Sequence, residues 1–260
     1  LPQRNLYDGY YEGKVGGSKK MARVFDSTAI NSTQRFANRL QSGIFPPQRK
    51  WCRLEPGPDI PLERRSEAQA ALDVYTEKMF STLKQTNFDI AMGEFLLDLA
   101  VGTAVLMIQP GDDNSPINFI PVPQFLVSFE EGANGQVDNV YRRMRMKGEA
   151  IQQQWKDAKI DEKLQRKIDE KPTEDVDLIE ATIFDVKRGD YCYHVIHKDS
   201  KSELVYRRMK YTPWIVSRYM KVSGEIYGRG PLVTAIADIK TLNKTLELLL
   251  KNASLAIAGV

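Results

Sequence analysis

Apolar and polar positions change their spacing several times along the chain, and each change marks an element. In "DSTAINSTQRFANRLQSGIFPP" (26–47), Ile30, Phe36 and Leu40 fall near one helical face. Ser27 or Thr28 is placed to cap its start, and Gly43 with Pro46-Pro47 ends it. "WCRLEPGPDIP" is rich in proline and reads as extended. "SEAQAALDVYTEKMFSTLKQ" opens with Ser66 and Gln69 at capping-box spacing. Its stripe is Ala71, Leu72, Tyr75, Met79 and Leu83. "NFDIAMGEFLLDLAVG" predicts a second, more buried helix, and the two are expected to form a helical hairpin.

From Thr103 the period falls to two. "TAVLMIQ", "INFIPV", "QFLVSFE" and "VDNVYRRMRM" read as strands, with an Asn134-Gly135 turn before the last. A charged helix is expected over 148–170. "DLIEATIFDV", "DYCYHVIH", "ELVYRRMK" and "WIVSRY" then read as four more strands. Their short connections predict an antiparallel meander. The letters YRRM occur at 141–144 and 206–209 without a wider match, so no internal duplication is inferred. Helices, sheet, helix, sheet and a final long helix make the class α+β.

The final helix carries Ala235, Ile239, Leu242, Leu246, Leu249, Ala253 and Ala256 at alternating spacings of four and three. That is a heptad-like seam. Run from Pro231 to Ala258 it would be about 42 Å long, at 1.5 Å per residue. A second row, Lys240, Lys244, Glu247 and Lys251, is mostly basic, and Leu248, Leu250 and Leu255 widen the apolar surface. Two readings follow. Either this is a core helix with one solvated face, or it stands in a ring of identical helices with its lysines on an exposed wall.

Composition narrows the class. The 260 residues are 42% hydrophobic and 27% charged, as in soluble globular proteins. The longest apolar run, 99–108, is too short to span a bilayer. The chain starts at Leu1 without a secretory leader and stops without a polar tail, and is expected to be a piece of a longer protein. Two distant cysteines, Cys52 and Cys192, exclude a disulfide framework and a Cys-rich zinc module. The net charge is +3, unevenly spread, with 12 Lys/Arg against 6 Asp/Glu in residues 1–65. Such a segment suits an anionic partner or a solvated surface.

Candidate chemistry is sparse. "GEIYGRGPLVT" sets glycines before a helix, the shape of a phosphate cradle. It lacks the Lys-Ser/Thr pair of a P-loop and the third glycine of a dinucleotide fingerprint. Pro231 instead suits the first helical position. His194 and His197, three apart in a strand, make a poor metal pair. Asp112 and Asp113 sit where a turn is expected. No catalytic set, metal site or cofactor is predicted.

The same region resembles a known family. "EIYGRGPLVTAIADIKTLNKTLELLLK" is similar to the signature of podovirus-type head-to-tail connectors, the portal proteins of short-tailed bacteriophages. The Y-G-R-G-P turn is matched by Tyr227, Gly228, Arg229, Gly230 and Pro231, and D-I-K-x-L-N by Asp238 to Asn243. The segment ending "FPPQRKWCRL" resembles the family's F-P-P-x-x-x-W piece, with Cys52 where an aromatic is expected. "QVDNVYRRMRMKGEAIQQQW" and "YTPWIVSRYMKVSGEIYGRGP" resemble two further pieces, so the matches run in order from about 27 to 250.

The resemblance implies a non-enzymatic subunit of a dodecameric ring at one capsid vertex of the virion, assembled in the host cytoplasm. Such a ring conducts double-stranded DNA, docks the terminase and then tail adaptor proteins, and meets major capsid and scaffolding proteins. It also implies an N-terminal arm (1–17), a wing (18–230) and the first stem helix (231–260), with a clip beyond. The glycines would then be a hinge between wing and stem, with Arg229 either reaching a neighbour or simply exposed. Ile239, Leu242, Leu246 and Leu249 would form the inter-helix seam, and Lys240, Lys244 and Lys251 the channel wall. The alternatives are a tail adaptor or other sequence-independent DNA-binding oligomer, and a phosphate-using enzyme built on the glycine turn.

Overall fold

The computed structural model of the chain describes residues 24–47, 49–112 and 114–259, so the expected arm at 1–17 lies outside it. Among the described residues three helices come first: α1 (Thr28–Ile44), α2 (Leu62–Lys84) and α3 (Phe88–Val101). Strands β1 (Thr103–Pro110), β2 (Ile117–Val122), β3 (Val127–Glu131) and β4 (Val137–Lys147) follow. Short helices α4 (Ala150–Gln154) and α5 (Glu162–Glu170) precede β5 (Asp175–Asp185), β6 (Asp190–His197), β7 (Glu203–Met209) and β8 (Trp214–Arg218). The end of the chain is α6 (Pro231–Thr234) and α7 (Ile236–Ala258). The chain divides into two compact units, 1–121 with 217–260, and 122–216.

In the first unit α1 and α3 pack on each other and on β1. Ala37, Met92, Phe95, Leu96, Leu106 and Phe119 belong to one buried cluster. Small residues at the helix contact, Ala37 and Ala91, let the helices approach closely. The expected hairpin of α2 with α3 does not form. What lies along α2 is the extended 50–55 segment, held by polar contacts. Arg53 Nε meets Asp73 Oδ1 at 3.0 Å, Thr76 Oγ1 accepts from Leu54 N at 3.2 Å, and Gln69 Nε2 donates to Leu54 O at 3.1 Å. The inward face of α2 is therefore partly polar, and Tyr75, expected in the stripe, is 60% exposed. The capping box is also absent. The helix starts at Leu62 after Pro61, which leaves Ser66 inside it and turns Gln69 toward the strapped segment. In α1 Ser27 holds the N-cap position as expected but its side chain makes no capping bond; the carboxylate of Asp26 accepts from Thr28 N at 3.2 Å instead.

Aromatic side chains close this unit. Trp51 meets Phe45 and Phe80 edge-on at centroid distances of 5.1 and 5.4 Å. Phe88 meets Phe119 at 5.2 Å. Asn87 completes the contact by acting as a strand partner. Its Nδ2 donates to Phe119 O at 2.7 Å and its Oδ1 accepts from Phe119 N at 2.9 Å.

The second unit holds a five-stranded antiparallel sheet in the order β3-β4-β5-β6-β7; the expected meander holds for β5, β6 and β7, but β8, expected to continue it, pairs with β1 in a separate sheet. Its turns have the expected chemistry: Gly135 and Gly189 take φ of 73° and 70°. Arg142 stands opposite Glu180, and Thr182 opposite Tyr193. The 148–170 stretch is not one helix. Trp155 is buried and extended, Lys159 N donates to Leu204 O of β7 at 2.7 Å, and Asp161 starts α5 by accepting from Leu164 N at 3.0 Å. Burying one tryptophan and tying one backbone group to β7 breaks the helix into two.

A carboxylate lies within this unit. Glu180 is fully buried, accepts from the Tyr193 hydroxyl at 2.5 Å, and meets Arg142 Nη1 at 3.3 Å. Burial and the Glu180 carboxylate push the Tyr193 hydroxyl well above its ordinary pKa, so it remains a donor. Three strands are thereby pinned in register. Tyr193→Phe removes a donor to a buried carboxylate and should destabilise the protein by about 1–3 kcal/mol. Arg142→Ala removes the counter-charge and should cost about 3–5 kcal/mol. Urea denaturation checks both, and equal stability of Arg142→Ala and the parent would remove the pinning role.

Candidate functional site: the glycine turn and the C-terminal helix

The residues singled out in the sequence lie on two adjoining features of the first unit. The turn Tyr227–Pro231 packs against the end of α3. Gly228 N donates to Thr103 Oγ1 at 2.8 Å, and Gly230 N donates to Val101 O at 3.0 Å. Arg229 N donates to Met220 O at 2.9 Å, and Tyr219 N to Gly102 O at 2.9 Å. Three segments far apart in sequence, 100–103, 218–220 and 228–230, thus meet through their main chains. Thr103 is fully buried at the centre.

The glycines are required by distance. A Cβ on Gly228 would stand 2.3 Å from Gly102 O, and one on Gly230 would stand 2.2 Å from Ala100 O. Gly102 is tighter still, with φ of 147° and a Cβ position 2.1 Å from Gly228 O. Neither Gly228 nor Gly230 has positive φ, so left-handed backbone is not their reason. Gly102 and Thr103 were missed in the sequence because they sit inside an apolar run. Their one local signal is a Gly directly after a helix and directly before a strand.

This geometry also answers the phosphate question. The N–H groups of residues 228, 229 and 230 all point into the protein and already have acceptors. Pro231 has no N–H, and α6 is a single turn. The donors that a phosphate cradle needs are spent. Arg229, expected to reach outward, pairs with Glu225, with Nε at 2.9 Å from Oε2. That pairing lowers the Glu225 carboxyl and raises the Arg229 guanidinium from their usual pKa values.

Beyond the turn the helix is not continuous. Ala235 leaves helical geometry, with φ −84° and ψ 2°, and separates α6 from α7. α7 has 23 residues, about 35 Å, instead of the 42 Å expected. None of its residues is buried. The seam is split: Ile239 and Leu246 are half-buried, whereas Leu242 is 42% and Leu249 57% exposed. Leu248, Leu250, Leu255 and Ile257 are exposed too. Asn243 fixes the half that touches the body, since its Oδ1 accepts from Phe25 N at 2.7 Å and from Asp26 N at 3.2 Å.

The lysine row is partly compensated. Glu247 meets Lys244 Nζ at 2.9 Å and Lys251 Nζ at 2.5 Å. Lys251 and then Lys244 hold the Glu247 carboxyl below its ordinary pKa. Lys240 is exposed and has no ion pair among the described residues. The histidines are apart, with His194 on Glu203 at 2.6 Å and His197 on Ser200 at 2.8 Å. Among the described residues no cluster suited to a metal ion is present and no helix is long and apolar enough to cross a membrane.

The candidate site is thus an exposed helix, apolar on more than one side, rooted in a main-chain knot. Residues 1–260 match the description "bacteriophage head to tail connecting protein". The chain belongs to that family. No curated protein matches it. Membership gives the connector a place between phage head and tail in the virion, in contact with capsid and tail components.

Two outcomes follow for the connector. Adding a methyl group at the knot should cost stability in a fixed order. Gly230→Ala and Gly228→Ala should each cost about 1–3 kcal/mol through forced displacement of backbone. Gly102→Ala should cost more, because strain at positive φ adds to the clash. Gly43→Ala, with open space in α1, should be neutral or stabilising by up to about 1 kcal/mol. Thermal unfolding of the four variants ranks them, and a Gly230→Ala connector as stable as the parent would refute the close-approach account.

The second outcome concerns pH. Because the folded Glu247 carboxyl is depressed, its contribution to α7 is present above the unfolded carboxylate pKa of about 4.3. It is lost as pH falls through the depressed folded value. Carbon-detected NMR titration should show Glu247 ionised to lower pH than an ordinary glutamate. Lys244→Gln with Lys251→Gln should return it toward the ordinary value, and no change on that substitution would mean the pairs do not persist in solution.

Proposed function

We propose that the connector is a subunit of the portal ring of a short-tailed bacteriophage. In this reading it is a structural, non-enzymatic conduit for double-stranded DNA in packaging and ejection. Copies of α7 stand side by side as the stem of a dodecameric ring at one capsid vertex. The terminase docks to it during packaging and tail adaptor proteins replace it later, while major capsid and scaffolding proteins surround the wing.

The observation that carries this reading is α7 itself. A 23-residue helix with exposed leucines on more than one side has apolar surface that the described residues do not cover. Identical neighbours in a ring would cover it from both flanks. The knot at Gly102, Gly228 and Gly230 supports the same reading, since it gives α7 a rigid root. The partly compensated lysine row suits a wall that DNA must slide past, because sequence-independent phosphate contacts weaken as salt rises. A different connecting oligomer of the family would share the helix but not a DNA-lined channel.

The test uses the full-length connector. Leu242→Asp with Leu249→Asp places carboxylates on the exposed part of the seam, where they disturb the monomer little. Light scattering should show loss of the ring, while circular dichroism stays that of the parent. Rings that assemble normally would overturn the stem assignment. Substituting Lys240, Lys244 and Lys251 together with Gln should leave rings intact and alter the salt dependence of packaging, and unaltered packaging at every salt would remove the channel role of the row.

A further inference from the structure

The helix α1 has a second outward surface that the stem reading does not use. Its inward face is set by Thr33 and Ala37, both buried. At 100° per residue, Arg35 and Arg39 fall on the opposite side, at the centre of the exposed face. Ser32, Asn38 and Ser42 flank them, and all five are exposed. From Thr28 to Leu54 the sequence has no Asp or Glu at all, and it holds Arg35, Arg39, Arg49, Lys50 and Arg53.

What happens to those cations is informative. Lys50 and Arg53 are spent on Glu77 and Asp73 of α2. Arg35, Arg39 and Arg49 are exposed and have no ion-pair partner among the described residues. Asp26, the acid that precedes α1, is occupied in capping Thr28. Some surface arginines elsewhere are matched, Arg145 by Asp177, Arg207 by Asp157, Arg208 by Asp185 and Arg229 by Glu225, while Arg64, Arg143 and Arg188 are exposed without an ion pair among the described residues. The outer face of α1 is therefore uniformly cationic, and its neutral side chains are hydroxyls and amides. Arg, Ser and Asn are the residue types that bond phosphate oxygens without reading sequence. Arg35 and Arg39 are four residues apart, about 6 Å along the axis, which suits successive contacts along a phosphate backbone.

We infer that the outer face of α1, centred on Arg35 and Arg39, is a contact site for the phosphate backbone of duplex DNA, separate from the lysine row of α7. The inference rests on the reading of the connector as a DNA-handling protein, and charge complementarity selects the occupant. An acid-free face of arginines and amides fits a polyanion better than a mixed protein surface.

The experiment measures binding of the full-length connector to two fluorescent duplexes of unrelated sequence across a salt series. The parent should bind both alike, with a negative slope of log affinity against log salt. Arg35→Gln with Arg39→Gln should reduce the magnitude of that slope by about 1.8, on both duplexes, at about 0.9 per lost phosphate contact. Arg35→Lys with Arg39→Lys should keep most of it. Neither exposed side chain has an ion-pair partner among the described residues, so the melting temperature should not move, which separates lost contact from lost fold. An unchanged slope in the Gln variant overturns the inference. So does an unchanged slope accompanied by loss of capsid-protein association, because the face would then be a protein contact. The Lys240, Lys244 and Lys251 triple variant, run in parallel, separates the two readings. A slope change there, with none at Arg35 and Arg39, leaves the conduit standing and removes this site.

Discussion

The first unit depends on one close approach of backbone to backbone. The turn at 228–230 lies on the end of α3 at a separation that leaves no room for a Cβ at Gly102, Gly228 or Gly230. That distance lets main-chain groups bond directly: Gly230 to Val101, and Tyr219 to Gly102. Thr103 supplies a side-chain acceptor to the contact, and it is fully buried. Each such bond contributes about 1 kcal/mol net, so the set is worth a useful fraction of a domain's stability. More important is direction. Main-chain bonds at both ends of a five-residue turn fix where α6 begins, and a proline at its first position fixes how it begins.

This arrangement separates two tasks that a helix usually combines. A surface helix is ordinarily held by burying one apolar stripe. Here α7 buries none of its residues and is held by its root and by Asn243, which binds the chain just ahead of α1. Leu242, Leu248, Leu249 and Leu250 are thereby released from the intramolecular core. A helix held at one end by hydrogen bonds can keep apolar surface for neighbours without losing its orientation. The same device recurs at smaller scale. Asn87 serves Phe119 as a strand edge would, and Thr76 with Gln69 ties the 50–55 segment to α2.

These polar ties mark the limit of what the sequence discloses. The strands were legible because alternation and turn residues are local: β2 and β6 fall where their letters placed them, and short connections gave the order β5-β6-β7, though not the departure of β8 to another sheet. Errors cluster where a distant group overrode a local signal. Ser66 and Gln69 have the spacing of a cap, yet Gln69 bonds a strapped segment from earlier in the chain. The charged stretch after Gly148 has helical composition, yet burial of Trp155 and the bond from Lys159 to β7 interrupt it. At the candidate site the turn was visible and its partner was not. Gly228 bonds Thr103 across 125 residues, and nothing in the letters "AVGTAV" announces that contact. Arg229 looked free because Glu225 precedes the turn without any helical register to suggest pairing.

The electrostatics of the first unit then divide by helix. On α7 a single carboxylate, Glu247, sits between Lys244 and Lys251, and together with Lys240 the row carries a net charge of two. In 0.15 M salt such a charge is felt over about 8 Å, so one copy attracts a passing phosphate only at close range. On α1 the arginines have no acid paired with them among the described residues. A moving duplex is best served by a wall of the first kind, because compensated charge lowers the depth of each binding well and hence the barrier to the next step. A surface meant to hold is better served by the second. In the proposed reading physical chemistry assigns the two helices unequal parts toward DNA, weak and sliding at the lysines, firmer at the arginines.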